Sequence, residues 1–167
     1  MKLNIGCGHD YRLGWENADK HPAHIDVKRV DIEDRLSIPH GWKGVCVLVE
    51  ARDVLEHCVR LDLAMANLHW VMQREGVLCV RGPHYSGRMA WTDPTHHHAF
   101  SSETFQMFAG EKVWTLTHVP KFRSCCVRIR FEGPLRLIEP LVNLYPKLWE
   151  ALGAWPPAKA VEAVLVK

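Results

Sequence analysis

The sequence predicts an α/β domain built on a mostly parallel sheet with an antiparallel edge. Three observations carry this. Short apolar runs alternate along the chain with stretches of helical periodicity. The first run, Lys2–Ile5, enters Gly6-Cys7-Gly8 directly, as a parallel strand does when it delivers a turn free of Cβ atoms to a ligand. The last runs differ: Val127, Ile129 and Phe131 alternate with Arg128 and Arg130, one face wet, and Val161 to Val166 follows as a hairpin-like partner.

The elements follow in order. Trp15 to Ala18 is a second short strand ending at Asp19, and Ile25 to Val30 a third ending at Asp31. Val45-Cys46-Val47-Leu48-Val49 is continuously apolar, as a strand buried on both faces is, and Val77-Leu78-Cys79-Val80 matches it. Between them Leu61, Ala64, Met65, Leu68, Val71 and Met72 recur at three- and four-residue spacing. They predict a helix over 60–74 with Gly76 as its C′ residue, and a right-handed βαβ unit. A second helix is expected over 102–109, capped by Ser101, favoured by Glu103 at its positive end and closed by Gly110. A third runs from Pro146 to Leu152 and is stopped by Gly153 and Pro156-Pro157.

With 167 residues, 47% apolar and 24% charged, the chain can fold as one domain, 1–167, with a sizeable core. No apolar run approaches the roughly 20 residues of a membrane span. The N-terminus passes straight into the glycine turn with no room for a signal peptide, so a cytoplasmic protein and no membrane partner are expected. Six cysteines form no C-x-x-C pair, and Cys46 and Cys79 sit in strands; reduced, structural thiols are expected. Residues 1–111 carry 12 Lys and Arg against 15 Asp and Glu, a balance of −3, and residues 112–167 carry 9 against 4, a balance of +5. That tilt could draw an anionic partner. No arginine-rich run or aromatic–basic interleaving marks a nucleic-acid surface, and a solvated basic face accounts for it.

In an open parallel sheet, ligands bind beyond the carboxyl ends of the strands. Here those ends carry Gly6-Cys7-Gly8, Asp19, Asp31, Glu50 with Asp53-Val54-Leu55-Glu56-His57, and Pro83-His84-Tyr85. Asp19 suits two adjacent hydroxyls, as on a ribose; the alternative is a turn or capping residue. It follows Gly8 by only 11 residues, and the third glycine of the dinucleotide fingerprint is missing. The fingerprint places its acid ~20 residues on, so a smaller nucleoside cofactor fits better than a nicotinamide dinucleotide. His57 reads as a general base, since an imidazole ordinarily titrates at about 6.5, or as a residue packed at the helix start. His96-His97-His98 cannot all face one ion and no paired carboxylate accompanies them, so no metal site is expected there. Pro83 to Phe100 spans 18 residues with Tyr85, Gly87, Trp91 and Pro94, long enough to act as a lid over an acceptor.

Together, Leu3-Asn4-Ile5-Gly6-Cys7-Gly8, Gly14-Trp15-x-Asn17-x-Asp19 and Asp53-Val54-Leu55-Glu56-His57 resemble the class I S-adenosylmethionine-dependent methyltransferases. The likeness is to the small bacterial predicted-methyltransferase group, similar to the methyltransferase type 11 domain, in which Trp91-Thr92-Asp93-Pro94-Thr95-His96 and the Phe-rich segment after it also recur. It covers residues 3–109 well and the remainder loosely. The resemblance implies a Rossmann-like, doubly wound, seven-stranded sheet with an antiparallel last strand, and S-adenosyl-L-methionine as cofactor. Gly6 and Gly8, flanked by Asn4 and Cys7, would lie against its methionine part. Asp19 would hold the ribose hydroxyls, and Asp31 with Ile32 would sit by the adenine. Glu50 and the following loop with Asp53 would lie near the sulfonium and acceptor. The implied reaction is methyl transfer to an oxygen or nitrogen of a small-molecule or saccharide-like acceptor, with His57, or His84 or His96 from the lid, taking the proton. This chain departs in starting at strand one, where the family usually has a preceding helix, and in a Gly8–Trp15 span too short for a full crossover helix. The expected consequence is a more exposed cofactor, or cover from another segment or a second subunit. The alternative is a binding or accessory protein that keeps the fold without catalysing.

Overall fold

A computed structural model describes residues 1–110 and 119–167. Seven strands form one sheet: β1 (Lys2–Ile5), β2 (Glu16–Asp19), β3 (Lys28–Arg29), β4 (Cys46–Arg52), β5 (Met72–Pro83), β6 (Ser124–Arg130) and β7 (Ala160–Val166). Their order is β3-β2-β1-β4-β5-β7-β6. β1 to β5 are parallel, and β7 runs antiparallel between β5 and β6. This is the mixed seven-stranded sheet with an antiparallel last strand that the sequence and its resemblance led us to expect.

Four α-helices accompany it: α1 (Leu61–Val71), α2 (Met89–Thr92), α3 (Glu139–Leu144) and α4 (Pro146–Ala151). The core lies on the sheet face that carries Leu3, Ile5, Val49, Ala51, Leu78, Val80 and Leu165. The apolar stripe of α1, Ala64, Met65, Leu68 and Val71, is buried in the same cluster, with Phe100, Phe105, Phe108 and Phe122. The alternate face is far less covered: Val164 is 42% exposed on it, and Leu48, Glu50, Cys79 and Glu162 are half-buried.

Local expectations shift where tertiary contacts outweigh local signals. α1 ends at Val71, not 74, because Met72 turns extended and pairs with Cys46. Lys167 Nζ takes the carbonyls of His69 and Met72, each at 2.8 Å, closing the helix from across the sheet. Gly76 therefore lies inside β5 and is no helix cap. A Cβ there would stand 2.8 Å from the Cys46 carbonyl oxygen, so glycine serves close strand packing. No α-helix forms over 102–109, only a 3-10 turn at Gln106–Phe108. The Ser101 N–H bonds the Thr104 hydroxyl, and the Ser102 N–H and hydroxyl bond Glu150. Two separated i→i+4 bonds form, from the Met107 N–H to the Glu103 carbonyl at 3.1 Å and from the Gly110 N–H to the Gln106 carbonyl at 2.9 Å, without a continuous ladder between them. β3 is two residues long rather than six, with Ile25 95% exposed, and β4 runs on to Arg52 by pairing with Arg81. α3 was not foreseen. The expected hairpin-like pair, β6 and β7, is adjacent and antiparallel, but α3 and α4 lie between its strands in sequence.

Candidate active site

A cavity of about 530 Å³ opens at the carboxyl ends of β1 to β4. Its floor is the turn after β1. Gly6 adopts φ +65°, and a Cβ there would collide with the Val54 side chain; Gly8 adopts φ +50°. Both conformations disfavour any residue with a side chain. Asp19, at the end of β2, ties this turn down: its Oδ2 accepts the Gly8 N–H at 2.8 Å and its Oδ1 accepts the His21 N–H at 2.7 Å. Each oxygen keeps a further lone pair for a ligand hydroxyl.

Gly6, Gly8, Asp19, Asp31, Ile32, Asp53 and His57 all line this cavity. At the far wall, Lys20 Nζ pairs with Asp31 Oδ2 at 2.8 Å. Burial opposes the Asp31 charge, but Lys20 and the Glu33 N–H outweigh it and hold the carboxyl below its ordinary pKa. Cys58, also lining the cavity, is a buried thiol pushed up to about 12 by desolvation, and so a neutral wall.

Asn4, Cys7 and Glu50 lie outside the lining. Asn4 and Asn17, both buried, brace the loop between β1 and β2: Asn4 Nδ2 donates to the Asp10 carbonyl at 2.7 Å, and Asn17 Nδ2 donates to the Arg12 and Trp15 carbonyls. Glu50 pairs with Arg12 and Arg52, each at 2.8 Å. These side chains hold in place a loop where a crossover helix would otherwise stand. Cys7 is buried beneath the turn.

His57 lines the cavity beside Asp53 and Thr95. It ends the 3-10 turn Leu55–His57 that follows β4. Its Nδ1 is 2.9 Å from the Thr95 hydroxyl, which donates to Asp93 Oδ1 at 2.6 Å. That hydroxyl has one hydrogen and spends it on Asp93, so His57 Nδ1 must be the donor to Thr95. The His57 Nε2 lone pair is thereby left free. Hydrogen bonds from Thr95 also hold Asp93 below the usual carboxylate range, keeping it charged. His96 packs edge-on against His57, ring centroids 4.8 Å apart.

His84, also a candidate from the sequence, is elsewhere and fully buried. Its Nδ1 accepts the Ser86 N–H at 3.1 Å, and its Nε2 is 3.0 Å from Glu150 Oε1. Both nitrogens are engaged inside the protein. Desolvation lowers the pKa of the ring despite the opposing pull of Glu150.

The 83–100 segment is fastened at both ends. Phe100 N donates to the Pro83 carbonyl and Tyr85 N to the Phe100 carbonyl, while the His97 and His98 N–H groups both reach the Glu56 carbonyl, at 2.7 and 3.2 Å. Thr95 and His97 come from it to the cavity wall. Neither was a site candidate in the sequence, although both lie in segments it singled out, nor were Lys20, His21, Glu33 or Cys58, which also line it. Their common signal is adjacency to a residue that was one: Lys20 follows Asp19, Cys58 follows His57, and Thr95 precedes the histidine run. Among the described residues no helix is long and apolar enough to cross a membrane.

No protein-family model and no curated protein matches the chain. Solved structures do. A SAM-dependent methyltransferase from Archaeoglobus fulgidus superposes with a TM-score of 0.66 at 18% identity, over 99% of this chain and 85% of that one. A putative S-adenosylmethionine-dependent methyltransferase from Listeria monocytogenes gives 0.58 at 14% identity, over 99% and 89%. The 16S rRNA (adenine(1408)-N(1))-methyltransferase of Catenulisporales acidiphilia, solved with SAM, gives 0.54 at 12%, over 99% and 84%. By this likeness and its strand order, the chain has the fold of the class I S-adenosylmethionine-dependent methyltransferases.

Proposed function

We propose that the protein binds S-adenosylmethionine in this cavity and transfers its methyl group to an oxygen or nitrogen of a small-molecule or saccharide-like acceptor. The carrying observation is the Asp19 carboxylate, bonded to the Gly8 N–H and facing the cavity. The residues present fit the cofactor. Two positive-φ glycines give a floor open to a ligand, Asp19 has lone pairs for ribose hydroxyls, and Ile32 offers an apolar side beside Asp31 for a base. When bound, the cofactor supplies an electrophilic methyl carbon on a positively charged sulfur. The chain's task is then to align the acceptor and exclude water. Asp53 and His57 line the cavity beyond the glycine turn, and the free His57 Nε2 is the group placed to activate an acceptor atom.

Calorimetric titration with S-adenosylmethionine, its demethylated product and NAD tests the reading. Binding of the first two and not the third is expected. Asp19→Ala should weaken that binding by about tenfold to a hundredfold, the cost of losing hydrogen bonds to a charged acceptor. Unchanged affinity would remove the ribose assignment. A second reading, binding without turnover, draws support from the loop over residues 6–15, where no helix covers the site. Saturable binding with no methyl transfer to any hydroxyl or amine acceptor would favour it.

A further inference from the structure

We propose that Glu56, His57 and His96 form a binding site for a divalent first-row transition cation at the acceptor end of the cavity. One ligand atom from each lies within 4.8 Å of the others. Closing to the spacing of a filled site, with ligands ~2 Å from the ion, asks for about 1 Å of side-chain movement.

Four features favour a cation over a chance grouping. Glu56 is 2% exposed, and its Oε2 is buried with no hydrogen-bond partner. A buried carboxylate without a partner is a rare and costly group. The other such atom among the described residues is His98 Nε2, whose ring is not one of the three ligands. Next, both ligand rings are oriented from behind. His57 Nδ1 donates to Thr95, and His96 Nδ1 reaches the Ala90 carbonyl at 3.4 Å. With Nδ1 engaged, each ring has Nε2 for the ion, the arrangement by which metal-binding histidines are commonly held; His96 Nε2 lies 3.8 Å from Asp93 Oδ2, a contact that the ion would replace. Third, the two hydrogen bonds from His97 and His98 to the Glu56 carbonyl clamp the loop bearing His96 onto the turn bearing Glu56 and His57. Last, the surrounding charge is negative. Asp93 Oδ2 lies 3.8 Å from His96 Nε2, and Asp53 lines the cavity with His57, with Arg81 3.6 Å from Asp53 in opposition.

The donor set selects the ion. Two neutral imidazoles and one carboxylate suit Zn²⁺, Co²⁺ or Fe²⁺, whereas Mg²⁺ and Ca²⁺ prefer oxygen ligands alone. Three protein ligands leave coordination positions open, and of the three His57 lines the cavity. With the cation bound, His57 Nε2 is spent on it, and the cation would take over from the free imidazole in activating an acceptor hydroxyl at an open position; this last point rests on the methyl-transfer reading, and the cation site does not. The histidine run thus contributes one member, His96, and its partners come from another segment.

The test is titration of the chelator-treated full chain with Co²⁺, followed by its visible d–d absorption, with Zn²⁺ in competition. One Co²⁺ per chain is expected. Glu56→Gln and His96→Ala should each weaken it at least about tenfold, and Thr95→Val, which frees the His57 ring, should do so by about tenfold to a hundredfold. Thermal melting checks that each variant is folded, and Thr95→Val, at an exposed position, is the variant that keeps the test decisive if Glu56→Gln does not fold. Affinity unchanged in the folded variants, or lost instead in His97→Ala, would overturn the site. Calorimetry with S-adenosylmethionine on metal-free protein separates the two ideas: cofactor binding without Co²⁺ binding removes only the cation site, and the reverse removes only the methyl-transfer reading.

Discussion

Two histidine networks in this protein use the same parts and reach opposite ends. Around His84 the ring, two serine hydroxyls and the Glu150 carboxylate close on one another. Glu150 Oε1 meets His84 and the Ser102 N–H, its Oε2 takes the Ser102 hydroxyl at 2.6 Å, and Ser86 Oγ accepts the Ala158 N–H at 3.0 Å. β5, α4 and the segment after Phe100 are thereby fastened together. Around His57 the chain Asp93–Thr95–His57 stops one bond short, leaving Nε2 open on a cavity. What separates a structural latch from a reactive site is the last unsatisfied atom, and neither residue type nor partner type reveals it.

That contrast can be broken in several ways. His84→Ala should cost about 3 kcal/mol of stability, since it strands buried partners, and lower the melting temperature by roughly 6–12 °C. A melt within 2 °C of the parent would deny the latch. The second test uses pH. The Glu56 carboxyl sits at about 7 when folded against an ordinary 4.5, so folding favours its protonated form. That contribution is complete below pH 4.5 and is lost as pH rises through 7, amounting to about 3 kcal/mol. Glu56→Gln lacks it, so denaturant midpoints should show the variant gaining on the parent between pH 4 and pH 8; a constant difference refutes the burial argument. Third, His57→Ala should leave stability within about 0.5 kcal/mol while slowing turnover of a methyl acceptor about a hundredfold. Equal losses of stability at His57 and His84 would erase the distinction. The smallest effect belongs to Lys147→Ala. Lys147 pairs with Glu103 at 2.6 Å and joins α4 to the same segment as Glu150, but both side chains are 58% exposed. A loss under about 0.5 kcal/mol by chemical denaturation is expected.

Most of the parallel half was legible because its strands are short apolar runs that end in glycine or acid, and α1 because its stripe is continuous. The misses have common causes. Met72 to Gly76 looks like a helix tail and becomes strand because Cys46 and Lys167 claim it from a distance. The 102–109 stretch forms turns and a short 3-10 segment rather than an α-helix, tied by Ser102 to Glu150, 48 residues away. In the site, strand-end residues such as Asp19 were readable from topology alone. Glu56 was not: a glutamate between Leu55 and His57 gives no hint that it points inward, and the pairing of His57 with His96 depends on where a long loop is pinned.

The position of β7 has a consequence for how the protein forms. β6 has β7 as its partner strand, and β7, made last of the seven, must enter between β5 and β6. During synthesis, β5 keeps an open edge and β6 stays unpaired until residues 160–166 leave the ribosome. The parallel half can therefore condense before β7 is made, and the sheet is completed only once β7 emerges, through β5–β7 pairings between residues 77 to 89 apart in sequence.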